Sequence, residues 1–179
     1  MIVNRRHALR QFLFVSAGIA LIPSCMQDKS KASVILKNFT IDGDQEMMLA
    51  ELSETIIPAT NSPGAKDISA HLYALKMLDD CYRKEDQQQF VKGMELFEKN
   101  CTTQFGSSFA KCKREQRNSF LQKIESNKNS KDDQQFFYNT VKRLTIQAYT
   151  SSKFYLTNIN VYKLVPGKFH GCAPVKATA

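Results

Sequence analysis

The stretch DQEMMLAELSETII, residues 44–57, decides the fold class of this chain. Its apolar side chains recur at spacings of three and four residues, which places them on one face of an α-helix. These side chains are Met48, Leu49, Leu52 and Ile56. Pro58 follows at once, and the helix should end there because the proline ring clashes with the preceding turn. The pattern predicts an amphipathic helix whose apolar face must be covered by other helices.

Helical periodicity continues along most of the chain. The further predicted helices cover residues 68–82, 84–104, 109–125 and 134–149. Asp67 is the predicted N-cap of the second helix, Gly106 closes the third, and Asp132 and Asp133 cap the fifth. The inward positions are Leu72, Leu75 and Leu78; Phe90, Met94 and Phe97; Phe120, Leu121 and Ile124; and Phe137, Val141 and Leu144. Because no stretch alternates convincingly with period two, an all-α single domain of about five helices is expected.

The N-terminus has the composition of an export signal and not of a folded element. Arg5 and Arg6 lie in a sequence that resembles the twin-arginine export box. The apolar run over residues 12–22 is too short for a membrane-spanning helix, which needs roughly 20 residues. We expect residues 1–24 to be a signal peptide, exported by the twin-arginine route to the periplasm.

Cys25 ends a stretch, Leu-Ile-Pro-Ser-Cys, that resembles a bacterial lipobox. Cleavage before this residue would expose its thiol for acylation and anchor the protein to a membrane. We therefore expect a lipidated tether over residues 25–38 and the helical domain over residues 39–175. The alternative is an ordinary cleaved signal that leaves Cys25 as a spare residue.

Net charge argues against a nucleic-acid partner. The full chain carries a formal charge of +8, and removal of residues 1–24 leaves 22 basic and 17 acidic side chains. The remaining excess is scattered, as expected for solvated helix faces, and an exported chain rarely meets nucleic acid.

The C-terminal part of the chain, residues 149–175, loses the helical period but is too aromatic to be disordered. We expect an extended segment whose rings are buried either against its own helices or against a second protein, and the residues leave both possibilities open. The candidate interface residues are Tyr149, Phe154, Tyr155, Tyr162, Pro166, Gly167, Phe169, His170 and Gly171.

No motif for an autonomous active site is found. Only His71 and His170 remain after signal removal, and the glycines form neither a dinucleotide turn nor a phosphate loop. We therefore expect no catalytic residues, metal or cofactor in this chain.

The remaining cysteines, Cys81, Cys101, Cys112 and Cys172, permit two disulfides with three possible connectivities. The Cys101 to Cys112 pair is favoured because the residues between them can reverse the chain. The alternative is that several of these cysteines are small buried thiols.

Several stretches together resemble the gluconate 2-dehydrogenase subunit 3 family. They are LAELSETIIPAT at residues 49–60, PGAKD at 63–67, LYALKMLDDCY at 72–82, LTIQAYTSS at 144–152 and VPGKFHGCAP at 165–174. The resemblance implies a small exported helical subunit beside a large flavoprotein dehydrogenase that carries FAD, with a cytochrome c as a candidate electron acceptor. The small subunit would supply the export signal and stabilise its partner. A free-standing periplasmic lipoprotein that acts as a binding or structural module is the alternative reading.

Overall fold

The computed structural model of the protein describes residues 31–126, 132–160, 162–165, 167 and 171–172. Within these ranges the chain forms five α-helices and no extended sheet, which confirms the predicted all-α class. The helices are α1 (Gly43–Ile56), α2 (Ala70–Cys81), α3 (Lys84–Phe105), α4 (Arg114–Ser126) and α5 (Asp133–Thr150).

Helix α1 begins with a capping box. The Asp42 side chain accepts a hydrogen bond from the backbone N–H of Gln45 at 2.9 Å, and the Gln45 side chain accepts one from the Asp42 N–H at 3.0 Å. Two N–H groups that have no helical partner are thereby satisfied. Met48, Leu49 and Leu52 are buried, as the periodicity predicts.

Phenylalanine rings fill the centre of the domain, where α3 packs most extensively against α5. The Phe97 ring lies 5.2 Å from Phe137, 5.1 Å from Phe120 and 5.0 Å from Phe109, measured between centroids. Tilted and edge-on pairs of this kind add to the free energy of apolar burial. The two helices can approach closely because α3 carries Gly93 at the crossing, where a Cβ would overlap the carbonyl oxygen of Asp133. The phenylalanine rings thus hold the helices together, and Gly93 allows the backbone of α3 to approach the start of α5.

The start of α2 differs from the prediction. Asp67 does not cap this helix; its carboxylate accepts a hydrogen bond from the N–H of Gly64 at 2.8 Å. The helix begins at Ala70 after Ser69, a non-glycine residue in the left-handed region with φ of 56°. The prediction that Asp67 caps α2 was therefore wrong, and its carboxylate instead stabilises the loop that precedes the helix.

The predicted fourth helix, residues 109–125, is divided into two parts. A 3-10 turn, Phe109–Lys111, is followed by extended backbone at Cys112, and α4 begins only at Arg114. Arg117 explains the break, because its guanidinium donates hydrogen bonds to the carbonyl oxygens of Phe109 and Ala110 at 3.0 and 2.6 Å. These carbonyls are satisfied by a side chain instead of by a continuing helix.

The predicted tether, residues 25–38, is too long at its C-terminal end. Val34 and Leu36 pack against the core, whereas Ile35 between them is 87% exposed. The buried carboxylate of Asp79 holds this part of the chain by accepting hydrogen bonds from the backbone N–H groups of Lys37 and Asn38 at 2.8 to 3.0 Å. Burial alone would raise the pKa of Asp79, but these hydrogen bonds lower it below its ordinary value. The chain is therefore docked on the helices well before Phe39.

Candidate partner interface

The C-terminal segment is joined to the domain at Tyr149, in the last turn of α5. Its hydroxyl donates a hydrogen bond to the carbonyl oxygen of Pro63 at 3.1 Å. Its ring lies 6.5 Å from the ring of Phe154 and 6.3 Å from that of Tyr155, measured between centroids. All three side chains are half-buried. These predicted interface rings therefore pack on one another and on the domain itself.

Residues 153–159 are helical, where an extended path was predicted. The N–H of Leu156 bonds to the carbonyl oxygen of Ser152 at 3.1 Å, and the N–H of Asn160 bonds to that of Tyr155 at 2.8 Å. The second bond closes a π-helical turn over Tyr155–Ile159. Phe154 and Tyr155, at the start of this helical stretch, lie beside the Tyr149 ring, a contact that the sequence period does not encode.

From the last residue of this turn onward, the chain exposes large apolar side chains. The exposed fractions are 59% for Ile159, 64% for Tyr162, 82% for Leu164 and 79% for Val165. We call these four residues the apolar tail. Four such side chains lie within seven positions of the chain, and exposed apolar side chains that lie close together are typical of protein interaction sites. The prediction named Tyr162 but not the other three residues. It was based on the aromatic residues of this stretch, whereas the other three side chains are aliphatic.

A rigid loop, residues 58–66, lies beside Tyr149. The carboxylate of Glu54 accepts hydrogen bonds from the N–H groups of Ala59 and Lys66 at 2.8 and 3.0 Å. Gly64 fits against this carboxylate, where a Cβ would overlap its oxygens. Glu54, which precedes Ile-Ile-Pro, therefore holds the loop that contains Pro63 and Gly64. We call this set of contacts the loop clamp.

Glu51 extends the clamp to α4. Its two oxygens meet the Lys66 Nζ at 2.5 Å and the Arg117 Nη1 at 2.6 Å. Burial raises the pKa of Glu51, but the two cations outweigh it, so the pKa lies below its ordinary value. The loop and the 3-10 turn are thus fixed to α1 through one carboxylate.

The cysteines fall into two groups. Cys101 and Cys112 are buried, with their sulfur atoms 3.8 Å apart, as free thiols. Cys81 and Cys172 are exposed and also free. The structure thus brings together the pair favoured by the sequence, without a bond between the sulfurs.

His71 is half-buried at the start of α2, and its Nδ1 atom lacks a hydrogen-bond partner. Burial lowers the pKa of this imidazole. In the part of the chain that the structure describes, no group of three His, Cys, Asp or Glu side chains is placed to hold a metal ion. No helix among the same residues has the length and apolar character needed to span a bilayer.

Several predicted positions lie outside the described residues. They are Arg5 and Arg6 of the export signal, Cys25 of the lipobox, and Pro166, Phe169 and His170 of the C-terminal segment. Gly167, which is described, is exposed and adopts a positive φ of 87°, as a turn requires. Gly171 is also exposed.

Comparison with known proteins gives one family. The family described as "Gluconate 2-dehydrogenase subunit 3" matches residues 43–167. No curated protein and no solved structure matches the chain. The matched range runs from the first residue of α1 through all four residues of the apolar tail, so the tail lies within the part that the family shares.

Proposed function

Because the chain belongs to the gluconate 2-dehydrogenase subunit 3 family, we propose that it is the non-catalytic small subunit of an FAD-dependent, GMC-like sugar or glycoside dehydrogenase. In this proposal the small subunit supplies the signal that exports the two chains together, stabilises the large flavoprotein and tethers it to the membrane. The FAD and the oxidation chemistry belong to the large subunit, which passes electrons to a cytochrome c.

The observation that carries the proposal is the apolar tail. Its side chains are exposed in the isolated chain, yet they lie within the range matched by a family of dehydrogenase subunits. Exposed apolar side chains that lie close together, such as Leu164 and Val165, are typical of surfaces that a partner covers. The family description, a dehydrogenase subunit, supports a partner within such a complex, and we take the large subunit to be that partner.

The energetics indicate how much of the contact the tail provides. Full burial of an aliphatic or aromatic side chain contributes about 1.5 to 3 kcal/mol. Scaled by their exposed fractions, the four tail residues contribute about 4 to 8 kcal/mol in total. Association costs about 4 to 15 kcal/mol in lost freedom, so the tail must be joined by further surface from the domain.

The domain is built to present the tail from a fixed base. Tyr149 is hydrogen-bonded to the loop at Pro63, and Glu54 is hydrogen-bonded to that loop at Ala59 and Lys66. The point from which the tail extends is therefore already held by the domain. A fixed attachment point lowers the entropy cost of binding, because fewer residues lose conformational freedom.

The N-terminal sequence supports the other two parts of the proposal. A folded flavoprotein with FAD already bound is a suitable cargo for twin-arginine export, and a single signal on the small subunit would serve both chains. The link from Cys25 to the domain is short, because Asp79 fixes the chain at Lys37 and Asn38. Twelve residues from Cys25 to Lys37 reach at most about 40 Å, so an acylated protein would be held close to the bilayer.

Two truncations test the docking role. The flavoprotein would be co-expressed with the full chain, with a chain that ends after Asn160, and with one that ends before Ser151. We expect the chain that ends at Asn160 to keep its cooperative melting, because the three rings and the bond that closes the π-helical turn remain. It should lose co-purification with the flavoprotein, because Tyr162, Leu164 and Val165 are absent. The shorter chain should also lose stability, since it lacks two rings of that cluster.

Two results would contradict the docking role. Loss of cooperative melting in the chain that ends at Asn160 would mean that the removed part of the apolar tail covers the domain's own core. Full retention of the flavoprotein by this truncated chain would mean that the partner binds elsewhere.

A further inference from the structure

Two thiols meet in the core where α3 ends and the chain turns toward α4. Cys101, in the last turns of α3, is fully buried, and Cys112, directly after the 3-10 turn, is 5% exposed. Their sulfur atoms are 3.8 Å apart, whereas a disulfide bond is about 2.05 Å long. We propose that Cys101 and Cys112 are a modification site, at which the folded, exported protein is oxidised to an intramolecular disulfide.

The surrounding structure shows what this bond would hold. Between the two cysteines, Gly106 ends α3 in the left-handed region with φ of 72°, and the 3-10 turn then buries Phe109 completely. The Phe109 ring contacts Phe97 at the centre of the domain. A covalent link between the two cysteines would close this turn at its base and lock Phe109 into the aromatic core.

The two sulfurs differ in access, and this sets the order of the reaction. Cys112, which is 5% exposed, lies between the exposed residues Lys111 and Lys113, whereas Cys101 is fully enclosed. Burial, together with the neighbouring Cys112 thiol, raises the pKa of Cys101. We therefore assign the first attack on the oxidant to Cys112, the less enclosed of the two residues.

The oxidant is a disulfide, either a small molecule such as oxidised glutathione or a protein disulfide of an oxidising compartment. The Cys112 thiolate attacks one sulfur of this donor, forms a mixed disulfide and releases one donor thiolate. Cys101 then loses its proton and attacks the Cys112 sulfur, which breaks the mixed bond and releases the second donor thiolate. The pair loses two protons and two electrons, and the donor disulfide is reduced to two thiols.

The second step is prepared by the geometry of the folded chain. The Cys101 thiol lies next to the Cys112 sulfur that it has to attack, with 3.8 Å between the two sulfur atoms. The adjacent sulfurs are already in place in the folded reduced chain, so oxidation needs no refolding.

The test uses the full chain with Cys25, Cys81 and Cys172 replaced by Ser, so that only the buried pair remains. The reduced protein is incubated with a glutathione redox buffer, alkylated under denaturing conditions and weighed by mass spectrometry. We expect both thiols to be lost as an internal disulfide and the melting temperature to rise by about 5 to 10 °C, reversibly with dithiothreitol. The matched control carries Cys101→Ala in the same background and should take up glutathione at Cys112 without any rise in melting temperature.

In a second arm the denatured chain is refolded in the same buffer, so that the oxidant can reach both sulfurs before the core forms. Free thiols or glutathione adducts in place of an internal disulfide in both arms would overturn the proposal. A melting temperature that falls on oxidation would overturn the locking role. Neither outcome bears on the dehydrogenase partner, because no partner is present in the test.

Discussion

Removal of the two most exposed side chains of the apolar tail should weaken partner binding and leave the fold intact. The change is Leu164→Ala combined with Val165→Ala. Together the substitutions delete five carbon atoms, each worth about 0.8 kcal/mol when buried. With exposed fractions of 82% and 79%, the expected loss in binding free energy is about 3 kcal/mol, or roughly a 100-fold rise in Kd.

The same substitutions should hardly affect the isolated chain. Side chains that are already in solvent contribute little to the free energy of unfolding, so a change within about 0.5 kcal/mol is expected. Binding would be measured by titration of the purified small subunit against the flavoprotein, and stability by urea unfolding followed by circular dichroism.

Two control variants bracket this experiment. Ile35→Ala removes an equally exposed aliphatic side chain, 87% exposed, which lies before the family-matched residues 43–167 and should change neither quantity. Leu144→Ala removes a core side chain that is 1% exposed and should cost about 2 to 5 kcal/mol of stability. A double variant that binds within twofold of the unaltered protein would refute the assignment of the tail to the interface. A loss of stability close to that of Leu144→Ala would show that the tail belongs to the domain's own core.

Three further changes test other parts of the account. Replacing both Arg5 and Arg6 with Lys should leave the flavoprotein in the cytoplasm, and the carrier role is wrong if cell fractionation still finds the flavoprotein in the periplasm. Cys25→Ala should release the small subunit from the membrane in detergent phase partitioning; unchanged retention without the partner would count against the lipid tether. Asp79 is held as an anion, so its contribution to stability is present at neutral pH and should be lost as the pH falls through its ordinary pKa of 3.8 and below. Urea unfolding at a series of pH values should show this loss in the unaltered chain and a weaker one in Asp79→Asn; equal slopes would exclude the Asp79 contribution.

The sequence predicted the helices well because apolar period is a local signal. Met48, Leu49 and Leu52 repeat on one face whatever lies opposite, and Gly106 ends its helix through its own backbone freedom. The predicted start of the fourth helix was wrong because a side chain from further along the sequence hydrogen-bonds to the backbone there. Arg117 takes the carbonyls of Phe109 and Ala110, and this contact cannot be read from the residues near position 109.

The candidate interface was predicted only in part, for a similar reason. Phe154 and Tyr155 look like binding residues in the sequence, but in the structure their rings pack against Tyr149. Leu164 and Val165 look like core residues, but no described helix face covers them. Composition identifies a segment that is rich in contact-forming side chains. Only the tertiary structure shows which of them pack against the domain and which remain exposed for a partner.

Purification of the protein from its native membrane in mild detergent tests the central claim most directly. The protein would be isolated through a C-terminal tag, and the eluate examined by mass spectrometry and by flavin absorbance. We expect a large flavoprotein to elute with it in constant proportion and to carry dehydrogenase activity toward a sugar or polyol. Elution of the small chain alone, from membranes in which that dehydrogenase is present and active, would contradict its role as a subunit.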